Sequence, residues 1–164
     1  MALHSHENAP PPNFSWVDEG FLAGCGCPGN LDHYKYFTEV GIRHVISLKE
    51  QYPPGAEENS KSLNLKLSKI QIKDFHPPTI DQIDEFLKLV DEGKKCNQPV
   101  VTHCALGNGR TGTMLACYLL KQKGISAKEA LDEIRKLRPG SVETVEQEKA
   151  IEMYYKHLNE TATD

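Results

Sequence analysis

No apolar run in this sequence approaches the roughly 18 residues that cross a bilayer, so a membrane-spanning role is not expected. The first residues, MALHSHENAPPPNFSW, lack the basic start and the apolar stretch of a secretory signal. Ala2 stands where N-myristoylation needs a glycine. These absences predict a soluble chain of the cytoplasm, with the nucleus also open to it. Basic charge is not in excess: 19 Lys and Arg against 23 Asp and Glu leave −4, which argues against a broad nucleic-acid face. The 5 cysteines have no regular spacing. Cys25 and Cys27 form only C-x-C with no second pair to complete a zinc site. No metal is expected, and the thiols should be mostly free. No Gly-Lys-Ser/Thr occurs, which excludes a Walker-type phosphate loop. There is no internal repeat.

What is present suits one domain. A chain of 164 residues with 38% hydrophobic content can bury a sizeable core, whereas two domains would be cramped. Residues 1–12 read as a flexible N-terminal arm, with a Pro10-Pro11-Pro12 run, and 13–160 as a single domain. NFSWVDEGFLAGC predicts two short strands around Asp18-Glu19-Gly20. LDHYKYFTEVG predicts a helix ending at Gly41, and IRHVISL a buried strand. KEQYPPGAEENSKS reads as a polar loop, and LNLKLSKIQI as a strand with a bulge near Ser68-Lys69. Thr79 with Gln82, and Ser126 with Glu129, have capping-box spacing ahead of apolar stripes. PVVTH is a short strand, and RTGTMLACYLLKQKG a largely apolar, central helix. Thr144 and Gln147 open a last helix running to about Leu158. Strands with helices between, then a helical C-terminal third, predict an α/β domain whose small sheet is flanked by helices.

The stretch PVVTHCALGNGRTGTMLACYLL, residues 99–120, permits two readings. Gly107, Gly109 and Gly112 spell G-x-G-x-x-G, the dinucleotide-binding spacing. That fingerprint needs a second parallel strand after the helix and an acidic residue at its end. Here Glu129, Asp132 and Glu133 fall inside a helical pattern, and no strand is predicted after residue 112. The other reading is a cysteine, five residues and an arginine, preceded by His103. A loop of Ala105, Leu106, Gly107, Asn108 and Gly109 can wrap one tetrahedral oxyanion with its backbone N–H groups. A helix starting near Arg110 adds the positive end of its dipole. Gly107 and Gly109 permit unusual backbone angles, and Gly112 a close helix approach. Arg110 can donate two parallel hydrogen bonds to a phosphate. The same field favours a negatively charged sulfur at Cys104. Thr111 could donate its hydroxyl to that sulfur. His103 could brace the loop through its ring or simply be a core histidine, and the residues leave both open. A cysteine after an apolar strand is often only a core residue. The added His103, Arg110, Thr111 and glycines favour chemistry.

A phosphate ester also needs a proton for its leaving group. Asp74 in IQIKDFHPPT, past a predicted strand and before Pro77-Pro78, can supply it. A turn aspartate bonding local backbone is the other reading. Glu50, Glu57 and Glu58 lie in a looser loop and are weaker candidates. Glu143 and Gln147 in the last helix region could approach the site, and capping and surface solvation is the favoured reading of both.

HCALGNGRTG resembles the His-Cys-five-Arg-Ser/Thr signature of the cysteine-based protein tyrosine phosphatases, and the small size resembles their atypical dual-specificity branch. PPNFSWV and EIRKLRPGSVETVEQEKAI extend the resemblance to about residues 11–158. It implies a phosphatase fold with a small central mixed sheet. It implies a phosphocysteine intermediate on Cys104, phosphate binding by residues 105–110, Asp74 as general acid and base, and no cofactor. Asn108 departs from a similar member that carries an aromatic residue there, and Lys73 is also different. Neither removes a catalytic group. The expected substrate is a phosphorylated protein or peptide, phosphotyrosine first and then phosphoserine or phosphothreonine. Phosphate analogues should occupy the loop, and no nucleic-acid or membrane partner and a monomeric chain are expected. Three alternatives stay open. A phosphoinositide phosphatase would be helped by lysines in the loop, and ALGNG has none. An RNA 5′-triphosphatase would want a broader basic surface. A non-catalytic phosphoprotein-binding module would need neither Cys104 nor Asp74.

Overall fold

The computed structural model describes residues 7–162. The first six residues of the expected arm lie outside them. Of the arm's remainder, Pro11 is buried and the Pro12 carbonyl accepts from Gly26 N at 2.8 Å, so its last residues pack on the domain.

Strands β1 (Ser15–Asp18) and β2 (Leu22–Cys25) form the predicted hairpin. They are followed by α1 (Leu31–Glu39), β3 (His44–Ser47), α2 (Ala56–Ser62) and β4 (Lys66–Lys69). Then come α3 (Ile80–Lys95), β5 (Val100–His103), α4 (Gly109–Lys123), α5 (Ala127–Leu137) and α6 (Val145–Ala162). The sheet order is β1-β2-β5-β3-β4, with only β1 antiparallel to its neighbour. The architecture is the mixed α/β one expected.

Strands β2, β3 and β5 are buried throughout, because helices cover both faces of the sheet. The two-residue period sends Leu22, Ile46 and Val100 to one face and Ala23, Val45 and Val101 to the other. The first face meets α3, α4, α5 and α6; the second meets Tyr34 and Phe37 of α1 and Ala56 of α2. Helix α4 is buried continuously from Gly109 to Leu120, as its apolar surface requires. Both capping boxes form, Thr79 with Gln82 and Ser126 with Glu129.

Two expectations need correction. Residues 56–62 are helical rather than loop. Only Ala56 and Ser60 of that turn are buried, so it shows no apolar stripe in sequence. The strand expected over 63–72 is regular only at 66–69. Beyond it Ile70 N and Ile72 N still donate to the Ser47 and Leu48 carbonyls, at 2.9 and 3.2 Å. Both side chains reach the core, so burial continued where the ladder became irregular.

The parallel strands β2, β5 and β3 end level, with Cys25 and Ser47 both opposite His103. The Cys104–Arg110 loop starts at that carboxyl edge, and the chain after β4 returns towards it. In open α/β sheets such edges form ligand crevices.

Candidate active site

Every backbone carbonyl of the loop from Cys104 to Asn108 accepts a hydrogen bond. The Cys104 carbonyl accepts from His103 Nδ1 at 3.2 Å. Ala105 O accepts from Cys27 N at 2.9 Å, and Leu106 O from Asn13 Nδ2 at 3.0 Å. Gly107 O accepts from the Arg138 guanidinium at 2.6 Å. Asn108 O accepts from Val142 N at 2.9 Å and Gly112 N at 3.1 Å. With the carbonyls drawn outward, the N–H groups of residues 105–110 donate to no protein acceptor among the described residues. This is the arrangement of an anion nest continued by a helix N-terminus.

Glycine is required at one position for its backbone. Gly107 has φ +82°, and a Cβ there would lie 2.6 Å from the Cys25 carbonyl group. Gly109 differs from expectation, since it already belongs to the helix. A Cβ on it would come within 3.0 Å of Gln147 Nε2 and nearer still to Glu143 Oε1. Gly112 meets Ser141 as closely as expected: a Cβ would be 2.7 Å from the serine Cβ.

Cys104 is 3% exposed and Arg110 is buried. Arg110 donates through one terminal nitrogen to Ile72 O at 3.0 Å, and the other lies 3.2 Å from Asp74 Oδ1. Its Nε is buried without a partner. The fold thus brings Asp74 onto the arginine of the loop across 36 residues of sequence. Asp74 Oδ1 also accepts from Phe75 N at 3.0 Å, the local turn bond that was its alternative reading. Glu50 approaches as well, its carboxylate 3.3 Å from Asp74 N.

The Asp74 segment is fastened from α6. Thr144 Oγ1 donates to Phe75 O at 3.4 Å and Gln147 Nε2 to His76 O at 3.3 Å. Gln147 caps the helix as expected, its Oε1 accepting from Glu143 N and Thr144 N. It is nonetheless fully buried and abuts Gly109, so surface solvation describes it wrongly. Glu143 is exposed yet leans on the same glycine.

His103 is fully buried and held neutral. Burial lowers it to about 4; the bond to the Cys104 carbonyl works against this, and the Lys49 and Arg110 charges add to the lowering. Its Nδ1 meets the carbonyl of the next residue, Cys104, and its Nε2 is buried without a partner. Thr111 does not form the expected bond to Cys104, and its buried hydroxyl has no partner. Its methyl is wedged against β2, where a Cβ on Gly24 would lie 3.0 Å away. The Asn108 side chain is turned to Asn13, which donates to its Oδ1 at 3.0 Å, so it braces the loop from behind.

The residue that pattern reading missed is Arg138. It is 1% exposed and donates to Asn13 O, Ser15 Oγ and Gly24 O as well as to Gly107 O. Burial lowers its pKa, while the nearby Cys25 and Cys104 thiols oppose that shift. In sequence it is one of several basic residues at the end of α5, and nothing marks it as interior. Burial also raises the Cys25 thiol, with Arg138 acting against it.

Among residues other than glycine with positive φ, Asn13, Asn64 and Asn97 are of the type that tolerates it. The other two are Phe75 at +64° and Val142 at +67°. Both flank this loop, and such a backbone costs about 1–2 kcal/mol in a residue with a bulky side chain. No group of His, Cys, Asp and Glu among the described residues could hold a metal ion. No helix among them is long and apolar enough to cross a membrane.

Comparison with known proteins gives this geometry its family. Residues 11–151 match the family described as PTP-SAK, Swiss Army Knife protein, DSP-PTPase phosphatase domain. The chain belongs to that phosphatase family. It is 39% identical over 152 residues to a tyrosine-protein phosphatase cdc-14 of Caenorhabditis elegans, covering 84% of this chain and 20% of that protein. It is 35% identical to inositol diphosphatase DSP5 of Arabidopsis thaliana, covering 77% of this chain and 62% of that one. The chain therefore spans less than two thirds of these relatives' length. The crystal structure of Tk-PTP in the active form superposes with a TM-score of 0.81 at 28% identity, over 88% of this chain and 97% of that chain. Membership places this chain in the dual-specificity and tyrosine phosphatase superfamily of hydrolases. Its relatives include enzymes named for protein and for inositol substrates.

Proposed function

We propose that the chain is a protein phosphatase that hydrolyses phosphotyrosine, with phosphoserine and phosphothreonine as further substrates, through a phosphocysteine intermediate. The observation that carries this is the loop whose carbonyls are all bonded outward, with Cys104 at one end and the Arg110–Asp74 pair at the other. The Cys104 sulfur attacks phosphorus, and the bond to the ester oxygen breaks. Arg110 and the amides of 105–110 hold the equatorial oxygens, where charge must be stabilised. Asp74 gives its proton to the leaving oxygen. Water then attacks the phosphocysteine, Asp74 takes the water's proton, and inorganic phosphate leaves with the sulfur restored. The side chains of His103, Asn108 and Arg138 touch no substrate in this scheme; they hold the loop. Asp74 occupies one side of the Arg110 guanidinium, so an arriving phosphate displaces a carboxylate from it.

A protein substrate is favoured over an inositol polyphosphate by the charge around the loop. The loop contains no lysine. Glu143 leans on Gly109, Asp74 lies beside Arg110, and the Glu50 carboxylate is 3.3 Å from Asp74 N. A ring carrying further phosphates would meet these carboxylates at short range. The test is a panel of phosphotyrosine and phosphothreonine peptides, an inositol pyrophosphate, phosphatidylinositol phosphate vesicles and 5′-triphosphate RNA. The wild-type chain is expected to turn over the peptides fastest. Cys104→Ser should turn over none yet still bind vanadate. Turnover by Cys104→Ser, or faster turnover of a non-protein substrate by wild type, would overturn the proposal.

A further inference from the structure

Asn108 stands at the N-cap of α4 and does not cap it. Asparagine is among the residues that cap best, its side-chain oxygen accepting from an amide two or three residues on. Other helices of this chain show that bond. His33 N donates to Asn30, Gln82 N to Thr79, Glu129 N to Ser126 and Gln147 N to Thr144, each at 3.1 Å. Asn30 is the same residue type at the same position of α1. Asn108 makes no such bond, and its backbone has φ −108° and ψ −61° where Asn30, Thr79 and Ser126 are extended. A side chain capping α4 would take the N–H of Arg110 or Thr111, two and three residues on. The Arg110 amide is one of those assigned above to phosphate. In the capped state the Asn108 oxygen would sit where the anion belongs, so the loop carries a competitor for its own ligand.

The side chain is held outside instead. Its Oδ1 accepts from Asn13 Nδ2 at 3.0 Å and lies beside Gly140, where a Cβ would be 3.5 Å from that oxygen. Asn13 is itself fixed: it has φ +58°, which asparagine tolerates, and its carbonyl accepts from Arg138 at 2.8 Å. The same Nδ2 reaches Leu106 O at 3.0 Å and Gly107 O at 3.4 Å. Those two carbonyls have substitutes. Leu106 is 68% exposed, so water can serve its carbonyl, and Gly107 O has the Arg138 guanidinium at 2.6 Å. Asn108 Oδ1 accepts from no other protein group among the described residues.

We propose that Asn13 is a positioning residue: by holding the Asn108 side chain it stops the loop from capping its own helix, and so leaves the Arg110 amide to phosphate. The inference rests on the phosphate-binding role given above to the loop amides and adds to it what keeps them free.

Asn13→Gly tests it, because glycine keeps the positive φ and the carbonyl for Arg138 and removes only the side-chain amide. Once released, Asn108 competes with the ligand. Vanadate should bind about fivefold more weakly, the scale of one N-cap bond. KM for p-nitrophenyl phosphate should rise by the same factor with kcat kept, since saturating substrate excludes the cap. In an Asn108→Ala background the same substitution should cost almost nothing, because the competitor is gone. A similar loss in both backgrounds overturns the proposal, for Asn13 then acts through the Leu106 and Gly107 carbonyls. So does unchanged vanadate binding by Asn13→Gly, or a fall in kcat with KM unmoved, the mark of a distorted loop. A second pair leaves Asn13 in place. Serine at 108 is too short to reach Asn13 yet caps well, whereas alanine cannot cap. Asn108→Ser should therefore bind vanadate about fivefold more weakly than Asn108→Ala, and equal affinities would overturn the proposal. Failure of the underlying reading looks different: the wild-type chain would bind no vanadate.

Discussion

The phosphate loop and the Asp74 segment lie side by side and are built in opposite ways. The loop is one continuous stretch of sequence, with Cys104 and Arg110 buried, and each carbonyl from Cys104 to Asn108 is taken by a donor outside it. The Asp74 segment is exposed, strained at Phe75, and fastened by longer bonds from Thr144, which precedes α6, and Gln147 within it. Where charge must be stabilised without reorganisation, donors are pre-aimed. The proposed proton donor sits instead on an exposed segment held from the start of α6 by bonds of 3.3–3.4 Å. Loops of that kind open locally with the least free energy.

The contrast can be broken at four points. Asp74→Asn strikes the exposed segment and should slow turnover of a poor leaving group by roughly 10²–10⁴. A good leaving group should be affected much less, and vanadate should bind more tightly because Arg110 is released. Equal losses on both kinds of ester, read in a leaving-group series, would remove Asp74 from the acid role. Arg138→Met strikes the buried scaffold. Loss of its bond to Gly107 O should lower kcat by about 10²-fold on good and poor leaving groups alike, with weaker vanadate binding and a lower melting temperature. A variant with normal vanadate affinity would show that Gly107 O does not need the guanidinium.

Thr144→Val releases one end of the acid segment only. The loss of one hydrogen bond predicts about fivefold slower turnover of poor leaving groups, with vanadate affinity unmoved. The last effect concerns stability and not rate. Unfolded His103 takes a proton near pH 6.5, whereas in the fold burial lowers it to about 4. The unfolded chain therefore binds more protons between these values. Stability is full above the upper one and is lost as pH falls towards the lower. At pH 5 the His103 share of that loss is about 2 kcal/mol. Urea unfolding at pH 7 and pH 5 measures it, and His103→Asn should shrink the difference by that amount. An unchanged difference would show that the ring is not held neutral.

The same contrast explains what was legible beforehand. Capping boxes at Thr79 and Ser126, the buried α4 and the absence of a strand after residue 112 are all local patterns, and each appears in the fold. Helix α2 was not legible, because seven residues with only Ala56 and Ser60 buried carry no stripe. Thr111 was assigned a bond to Cys104 from adjacency, and the helix turned its methyl onto Gly24 instead. Arg138 was invisible because its partners, Asn13, Ser15, Gly24 and Gly107, come from three distant parts of the chain.

The sequence by itself determined the Cys104–Arg110 loop, since its cysteine, amides and arginine lie within one turn-and-helix start whose geometry is local. Only the tertiary structure decided the rest of the site. Asp74 reaches Arg110 from the segment after β4, and Arg138 reaches Gly107 from the end of α5, which packs with α6 against α4. Contacts between residues far apart in sequence depend on where whole elements stop, and no short pattern carries that information.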